Sequence, residues 1–281
     1  MKTNQLELEA IQKNIRRYVG EGRSISDEFI TERRLEALGE LDHENDSRQV
    51  KQQVEKEGFI VREGFLSQEL VERMIDALMR IDQARSIRQK GGIFAVRNLL
   101  DVCPEVRILA ESRIVRQYVE PILGDDFLPV RGILFDKIPG ANWKVPWHQD
   151  VTIAVRGRID VDGFGPWSVK AGVCHVQPPA DVLERIVSVR FHLDDCGAEN
   201  GALRVIAGSH LMGKIPEDQI DRLRRNAIEQ VCAVRTGGAL FMRPLLLHAS
   251  SQSVLPDHRR VIHIDFAGVS LPGGLRWFSE Q

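Results

Sequence analysis

Two stretches in the C-terminal half alternate between apolar and polar side chains, and they restrict the fold more than any other feature of the chain. In residues 186–193, Val187, Val189, Phe191 and Leu193 fall on one face, and Ser188, Arg190 and His192 on the other. In residues 259–266, Ile262, Ile264 and Phe266 share a face opposite Arg259, Val261, His263 and Asp265. Successive side chains of a strand point to opposite sides of a sheet, so each stretch has one face apolar enough to pack on helices. The polar face is either solvated or turned toward a wet cavity inside a barrel-like sandwich.

The order of elements narrows this further. Residues 1–57 are polar and helix-prone. Leu8, Ile11, Ile15 and Tyr18 step by three and four, which predicts a helix with one apolar stripe. Phe29, Leu35 and Leu38 predict a second, with Ser24 or Ser26 as its cap. We therefore expect a helical N-terminal extension over 1–57. At Gly58 the texture changes. Phe59-Ile60-Val61 is a short β-type run, and Ser67 can cap a helix whose apolar face is Leu70, Met74, Leu78 and Ile81. Pro104 opens another helix through Val106, Leu109 and Ile114. After Leu123-Gly124 the chain reads mainly as strands and loops. Helices first and strands later predict an α+β arrangement over 58–281, a β-rich core with flanking helices.

Residues that carry chemistry sit among the strands. In Trp147-His148-Gln149-Asp150, His148 and Asp150 are two apart and point the same way at a strand end. A hundred residues later His248 ends an apolar run, 239–247, that reads as a buried strand. Two imidazoles and one carboxylate cover one face of Fe(II) and leave the other open for substrate, co-substrate and O2. Arg259 follows His248 by eleven residues. An arginine fork matches the far carboxylate of a dicarboxylate 2-oxo acid and cannot lose its proton. Ser250 can add a hydroxyl. Singly, a His-X-Asp pair is common on surfaces, and a lone histidine in an apolar strand is more often a satisfied core residue.

Residues 156–181 follow the pair directly. With Gly157, Gly163, Gly165, Pro166, Pro178 and Pro179 and little periodicity, they read as a long loop. Loops of this length are usually lids or disordered, and Phe164, Trp167, Lys170 and His175 favour a lid over the site. Trp167 is expected to pack on the bound ligands. Arg97, Lys144, Lys170, His175, Arg190 and His192 are candidates for substrate contact.

Composition excludes several alternatives. A net charge of −2 gives no broad basic field for nucleic acid or an anionic membrane. No apolar run approaches the roughly 18 residues that a membrane span needs, and no signal peptide is apparent. Cys103, Cys174, Cys196 and Cys232 are scattered, which suits free thiols in a reducing cytoplasm. The expected partner is a small molecule, and the expected state a monomer or small homo-oligomer.

With these residues in place, the stretch from about Gly58 to Phe266 resembles the phytanoyl-CoA dioxygenase family of Fe(II)/2-oxoglutarate oxygenases. The resemblance rests on Trp147-His148-Gln149-Asp150, on Asp194-Asp195 through Glu199-Asn200-Gly201-Ala202-Leu203-Arg204-Val205-Ile206-Ala207-Gly208-Ser209-His210, and on Leu246-Leu247-His248-Ala249-Ser250 with Arg259-Arg260. The middle segment is the most family-specific. The resemblance implies a double-stranded β-helix, a jelly-roll variant related to the cupins. It also implies His148, Asp150 and His248 as iron ligands and Arg259 with Ser250 on 2-oxoglutarate. Gln149 is placed near the co-substrate or a ligand. His210 reads as structural. The expected reaction is hydroxylation or oxidative dealkylation at a C–H bond of a small polar metabolite, with release of succinate and CO2. A metal-binding jelly roll without catalysis and a metal-dependent hydrolase on the same three ligands are the alternatives, and neither needs a dicarboxylate clamp. Asp150 disfavours halogenation, for which related enzymes replace the carboxylate with a small residue.

Overall fold

The structure, a computed structural model, describes residues 44–81, 87–89, 93–138, 142–254 and 258–280. Both helices expected before residue 44 lie outside these. The unit that carries the site is Ser47–Gln281. It includes the end of a helix just before Gly58, whose Val50 and Val54 are fully buried in the core.

Three antiparallel sheets make up the β structure of the described residues. The largest has seven strands in the order β1 (Phe59–Arg62), β12 (Ala239–Met242), β9 (Ile186–His192), β14 (Arg259–Ala267), β4 (Leu128–Lys137), β3 (Ile93–Arg97), β2 (Ile87–Gln89). A four-stranded sheet runs β11 (Glu229–Cys232), β10 (Leu203–Ile206), β13 (His248–Ser250), β5 (Val145–His148). A small third sheet joins β6 (Ile153–Val155), β8 (Val173–Val176) and β7 (Trp167–Lys170). This is a jelly-roll core with flanking helices.

The two faces of the large sheet follow from the alternation in β9 and β14. Val187, Val189, Phe191, Ile262, Ile264 and Phe266 pack in the main core cluster. They meet the apolar sides of the helices Gln68–Met79, Pro104–Glu111 and Arg113–Leu123, among them Met74, Val106, Leu109, Val115 and Val119. Phe65 anchors this layer, with ring centroids 5.1 Å from Tyr118, 5.7 Å from Phe191 and 5.6 Å from Phe241. The opposite face, with Ser188, Arg190, His263 and Asp265, is also buried. It turns toward the four-stranded sheet, so the polar side chains line a cavity rather than solvent.

Ser67 caps its helix as expected, its Oγ accepting the Leu70 N–H at 3.2 Å. Three local expectations are corrected. The helix opened by Pro104 ends at Glu111, because Ser112 is extended (φ −68°, ψ 154°), and Ile114 belongs to the next helix. The buried run 239–247 is not one strand. It leaves the large sheet after Met242 and turns, so that His248 begins β13 of the other sheet. Residues 156–181 are not a structureless loop: β7 and β8 form a hairpin that extends from β6.

Phe191 is fully buried between sheet and helices. Phe191→Ala is expected to cost about 3–5 kcal/mol, the usual price of an aromatic-sized core void. Urea unfolding checks this, and a loss below about 1 kcal/mol would show that this layer can collapse around the gap.

Candidate metal centre and cavity

The centre is built by strand register. β13 pairs with β5 so that His248 lies opposite His148 and Ser250 opposite Val145. Two residues of β13 span three of β5, an irregularity of the kind that re-aims side chains at barrel rims. The imidazole rings of His148 and His248 come to 4.3 Å between centroids. Asp150 follows at the end of β5, its backbone N–H donating to the Pro244 carbonyl at 2.9 Å. His148, Asp150 and His248 offer three ligand atoms within 4.8 Å of one another, the one such group among the described residues.

Both imidazoles are oriented from behind. The Nδ1–H of His148 donates to the Pro146 carbonyl at 2.9 Å, and that of His248 to the Leu246 carbonyl at 2.8 Å. These partners assign the protons to Nδ1 and leave each Nε2 lone pair facing Asp150, 3.7 Å from its carboxylate oxygens. Donors about 2.0–2.2 Å from a shared ion lie roughly 3–3.7 Å apart. The set therefore fits a divalent metal, and its mixed imidazole and carboxylate chemistry fits iron(II). Burial pushes His248 down to about 4, against the pull of Asp150, so its ring is neutral and ready to ligate. Burial alone would raise the Asp150 carboxyl. His148, His248 and Arg131 more than offset it and hold the group well below the ordinary carboxylate range.

A cavity of about 230 Å³ opens on this centre between the two larger sheets. Ser250 and Arg259 line it together with the triad. Arg259 is 3 % exposed; its Nη1 lies 3.9 Å from the Cys196 sulfur and its Nε has no hydrogen-bond partner. Its neighbour Arg260 faces the other way and forks onto Asp194 at 2.6 and 2.8 Å. Arg97, Lys170 and Arg190 also line the cavity.

Several expected contacts fall elsewhere. Gln149 is buried and wholly used by the backbone. Its Nε2 donates to the Gly213 and Leu245 carbonyls at 2.8 and 2.6 Å, and its Oε1 accepts the Ile215 N–H at 2.8 Å. It braces the loops around the centre and does not touch the cavity. Lys144 is exposed: Trp143 and Val145 take the inward positions on either side of it. Trp167 packs against the cluster around Val155 and Trp277, with the Arg158 guanidinium 5.6 Å from its ring centroid. His175 is buried beside a separate small hollow, its Nδ1–H donating to the Val173 carbonyl at 3.0 Å. His192 is sealed beneath the cavity with neither ring nitrogen partnered. His210 donates from Nε2 to the Glu55 carbonyl at 3.0 Å. Gly58 (φ +86°) makes room for it, since a Cβ there would meet the His210 ring at 2.5 Å.

The structure adds residues that the sequence reading did not assign. Arg131, Ile133, Phe135 and Lys137 alternate inward along β4, opposite Asp265, His263, Val261 and Arg259 of β14. Arg131 Nε donates to Asp265 at 2.6 Å, and Ser188 Oγ to the same carboxylate at 2.6 Å. His263 lies between Asp265 at 2.8 Å and Arg190 at 3.0 Å. Arginine can only donate, so His263 accepts at Nδ1 and gives its Nε2–H to Asp265. Lys137, 1 % exposed, donates to Ser250 Oγ at 3.1 Å and to the Ser251 carbonyl. Burial, with Arg259 and Arg190 nearby, pushes its ammonium down to about 7. The alternation of 131–137 was a usable signal for all four positions.

Residues 54–261 match the family described as phytanoyl-CoA dioxygenase (PhyH). The chain belongs to this family of iron- and 2-oxoglutarate-dependent oxygenases, and it is accordingly an oxidoreductase. No curated protein sequence matches it significantly. Among solved structures it resembles EctD from S. alaskensis, crystallised with 2-oxoglutarate and 5-hydroxyectoine, at 20 % identity and a TM-score of 0.61 over 78 % of this chain and 75 % of that one. AviO1 from Streptomyces viridochromogenes gives 20 % identity and 0.58 over 80 % and 95 %. The non-heme alpha ketoglutarate dependent epimerase SnoN from nogalamycin biosynthesis gives 17 % and 0.58 over 82 % and 91 %. At these identities the likenesses establish the fold.

Two outcomes test this geometry. Gln149→Leu strands three backbone groups, the buried Leu245 carbonyl and the part-buried Gly213 carbonyl and Ile215 N–H, at about 1–3 kcal/mol for a buried group left unsatisfied and less for the others. We expect a lower melting temperature with little change in the KM for 2-oxoglutarate; a KM effect without loss of stability would put Gln149 in the cavity. The second concerns Lys137, whose ammonium falls from the ordinary 10.5 to about 7 on folding. Between those values the unfolded chain binds the extra proton, so this residue makes stability rise with pH. Lys137→Met is therefore expected to gain stability relative to the unsubstituted protein as pH falls from about 10 to about 7 in urea titrations. A pH-independent difference would contradict the assignment.

Proposed function

We propose that this chain is an Fe(II)- and 2-oxoglutarate-dependent dioxygenase that hydroxylates, or oxidatively dealkylates, a C–H bond of a small polar metabolite, releasing succinate and CO2. The observation that carries this reading is the sharing of one cavity by the His148–Asp150–His248 centre and the buried guanidinium of Arg259. A hydrolase or a metal-binding scaffold has no use for a buried cation at that place.

Bound iron(II) supplies O2 activation coupled to oxidative decarboxylation of 2-oxoglutarate. The chain's own residues do the rest. His148, Asp150 and His248 hold one face of the metal, and the backbone carbonyls behind the two rings fix their direction. Arg259 and Ser250 receive the far carboxylate of the 2-oxo acid. Lys137 stands behind Ser250 as its donor, which leaves the Ser250 hydroxyl hydrogen free to turn toward that carboxylate. The Arg190–His263–Asp265–Arg131 chain makes a rigid polar floor. Ile133, Phe135 and Leu203 supply the apolar wall that keeps water from the reacting C–H bond. Two similar structures are named an epimerase and a carbocyclase, so a C–H cleavage that ends in rearrangement is the second reading. Placement in the cytoplasm, as a monomer or small homo-oligomer, belongs to the same proposal.

His148→Ala, Asp150→Ala and His248→Ala are each expected to abolish succinate formation at saturating iron; near-normal turnover in any of them removes that residue from the centre. Arg259→Ala should raise the KM for 2-oxoglutarate at least about 30-fold, the low end of the ~2–5 kcal/mol carried by a buried charged hydrogen bond. Arg260→Ala should leave that KM nearly unchanged, and the reverse ranking would refute the clamp.

A further inference from the structure

Two buried guanidiniums line the cavity without a carboxylate partner among the described residues, those of Arg259 and Arg190. Arg131, by contrast, has Asp265 behind it. In the reading above Arg259 is taken by the far carboxylate of the co-substrate, while Arg190 has no anion to meet. Arg190 is 7 % exposed; its Nη1 donates to His263 Nδ1 at 3.0 Å, and its buried Nε has no partner. A buried cation left in this way is costly unless an anion comes to it.

The place of Arg190 in the sheet says which anion that is. On β9 it stands beside His263 of β14. Its side chain leans back across β14, so that the guanidinium lies 5.6 Å from the ring centroid of Phe135 on β4. Phe135 faces Val261, one inward position nearer Arg259 than His263 is. Burial and then Arg259 push the Arg190 guanidinium down to about 10, and Asp150 pulls it part of the way back. Arg190 therefore lies within electrostatic reach of both the clamp and the carboxylate of the metal centre, beside a molecule that spans the two. The mouth of the cavity is elsewhere. Arg97, Trp143 and Lys170 line it and are only half-buried. Arg97 on β3 and Arg190 on β9 are separated by β4 and β14, which puts Arg190 on the deep side, away from an entering substrate.

Resting on the dioxygenase reading above, we propose that Arg190 is a second co-substrate arginine, which donates to the metal-binding carboxylate of 2-oxoglutarate while Arg259 holds the far one. Two guanidiniums without carboxylates then meet the two carboxylates of one dianion. The planar fork suits this role, since one arm can stay on His263 while the rest of the group turns to the ligand. His263 is itself held by Asp265 at 2.8 Å, and the Phe135 ring lies against the guanidinium, so its direction is set before the ligand arrives. The arrangement also selects the co-substrate. An oxo acid that lacks the far carboxylate leaves a buried guanidinium unpaired, and such a site rejects the molecule that lacks its partner group.

The test uses the full chain loaded anaerobically with Fe(II). It is titrated with 2-oxoglutarate or with 2-oxobutanoate, which keeps the oxo acid end and lacks the far carboxylate. Binding is read from the iron–oxo acid absorption band and, independently, from the rise in melting temperature. Arg190→Gln should weaken both acids by the same factor, about 10-fold to 100-fold, the range for losing one hydrogen bond to a charged group. Arg259→Ala should weaken 2-oxoglutarate alone and so erase its advantage over 2-oxobutanoate. The band should move to higher energy in Arg190→Gln and stay in place in Arg259→Ala, because only the Arg190 charge stands where it stabilises electron density passed from iron onto the oxo acid end. Arg190→Lys keeps the charge without the fork and should recover part of the affinity and of the band position. Affinity for 2-oxoglutarate within about threefold of the parent in Arg190→Gln overturns the proposal, and with a lowered melting temperature it would make Arg190 a brace of the sheet. Loss of the preference for 2-oxoglutarate over 2-oxobutanoate in the same variant also overturns it, by putting Arg190 on the far carboxylate. If the glutamine variant does not fold, the lysine variant decides, and parent-like affinity with an unmoved band there overturns the proposal. Failure of the parent protein to form the iron–2-oxoglutarate band at all would instead strike the dioxygenase reading itself.

Discussion

Everything at the centre depends on the pairing of two short strands. β13 and β5 are three and four residues long, yet their register alone sets His248 opposite His148. Shifting one of them by a residue would turn a ligand to the far side of the sheet. The register is held from outside the pair. Gln149 ties three backbone groups across the loops that enter these strands. Ser209 Oγ accepts the Leu247 N–H at 2.8 Å, immediately before His248. The fully buried Leu246 and Leu247 fix the approach to β13. Stability and ligand geometry are thus set by the same bonds.

The large sheet works as a partition. On its helix side lie Phe191, Ile262 and the aromatic layer around Phe65. On its cavity side Ile133 and Phe135 flank a chain of charged hydrogen bonds from Arg190 to Arg131. A cavity floored with polar groups is tolerated because most of them have partners; among the described residues, the buried nitrogens on this side without one are Nε of Arg190 and of Arg259 and both ring nitrogens of His192. The helix side supplies the hydrophobic stabilisation that lets the other side hold so many buried charges.

How far the sequence could be read follows from these same elements. The facing of Arg259 and the opposite facing of Arg260 were legible because β14 is long and its alternation unbroken. The metal triad was legible because its residue types and spacing are rare in combination. Gln149 misled because its polarity and place in the motif look like a ligand contact, while the backbone groups it satisfies are far away in sequence. Lys144, just before β5, and Trp167, the first residue of β7, misled because both strands are short, and the side on which a short strand puts its residues depends on a register no local pattern reveals. Residues 156–181 looked like a loop since glycine and proline dominate its ends, although Val169, Cys174 and Val176 carry a hairpin pattern. Arg131 and Lys137 were visible in the alternation of β4, but charged residues in strands are usually solvent-facing, and only the opposing sheet shows otherwise.

The buried cations Lys137, Arg190 and Arg259, close enough that the first two are depressed by burial and by their neighbours' charge, have a consequence for the lifetime of the protein itself. Like charges held together in a closed space lower the stability of the folded form, and an acid that enters only the folded form raises it in proportion to the logarithm of its concentration. Native molecules without an occupant therefore open more often to proteolysis than filled ones. Cellular abundance would then follow the supply of 2-oxoglutarate, so that starvation for it removes the catalyst along with its work.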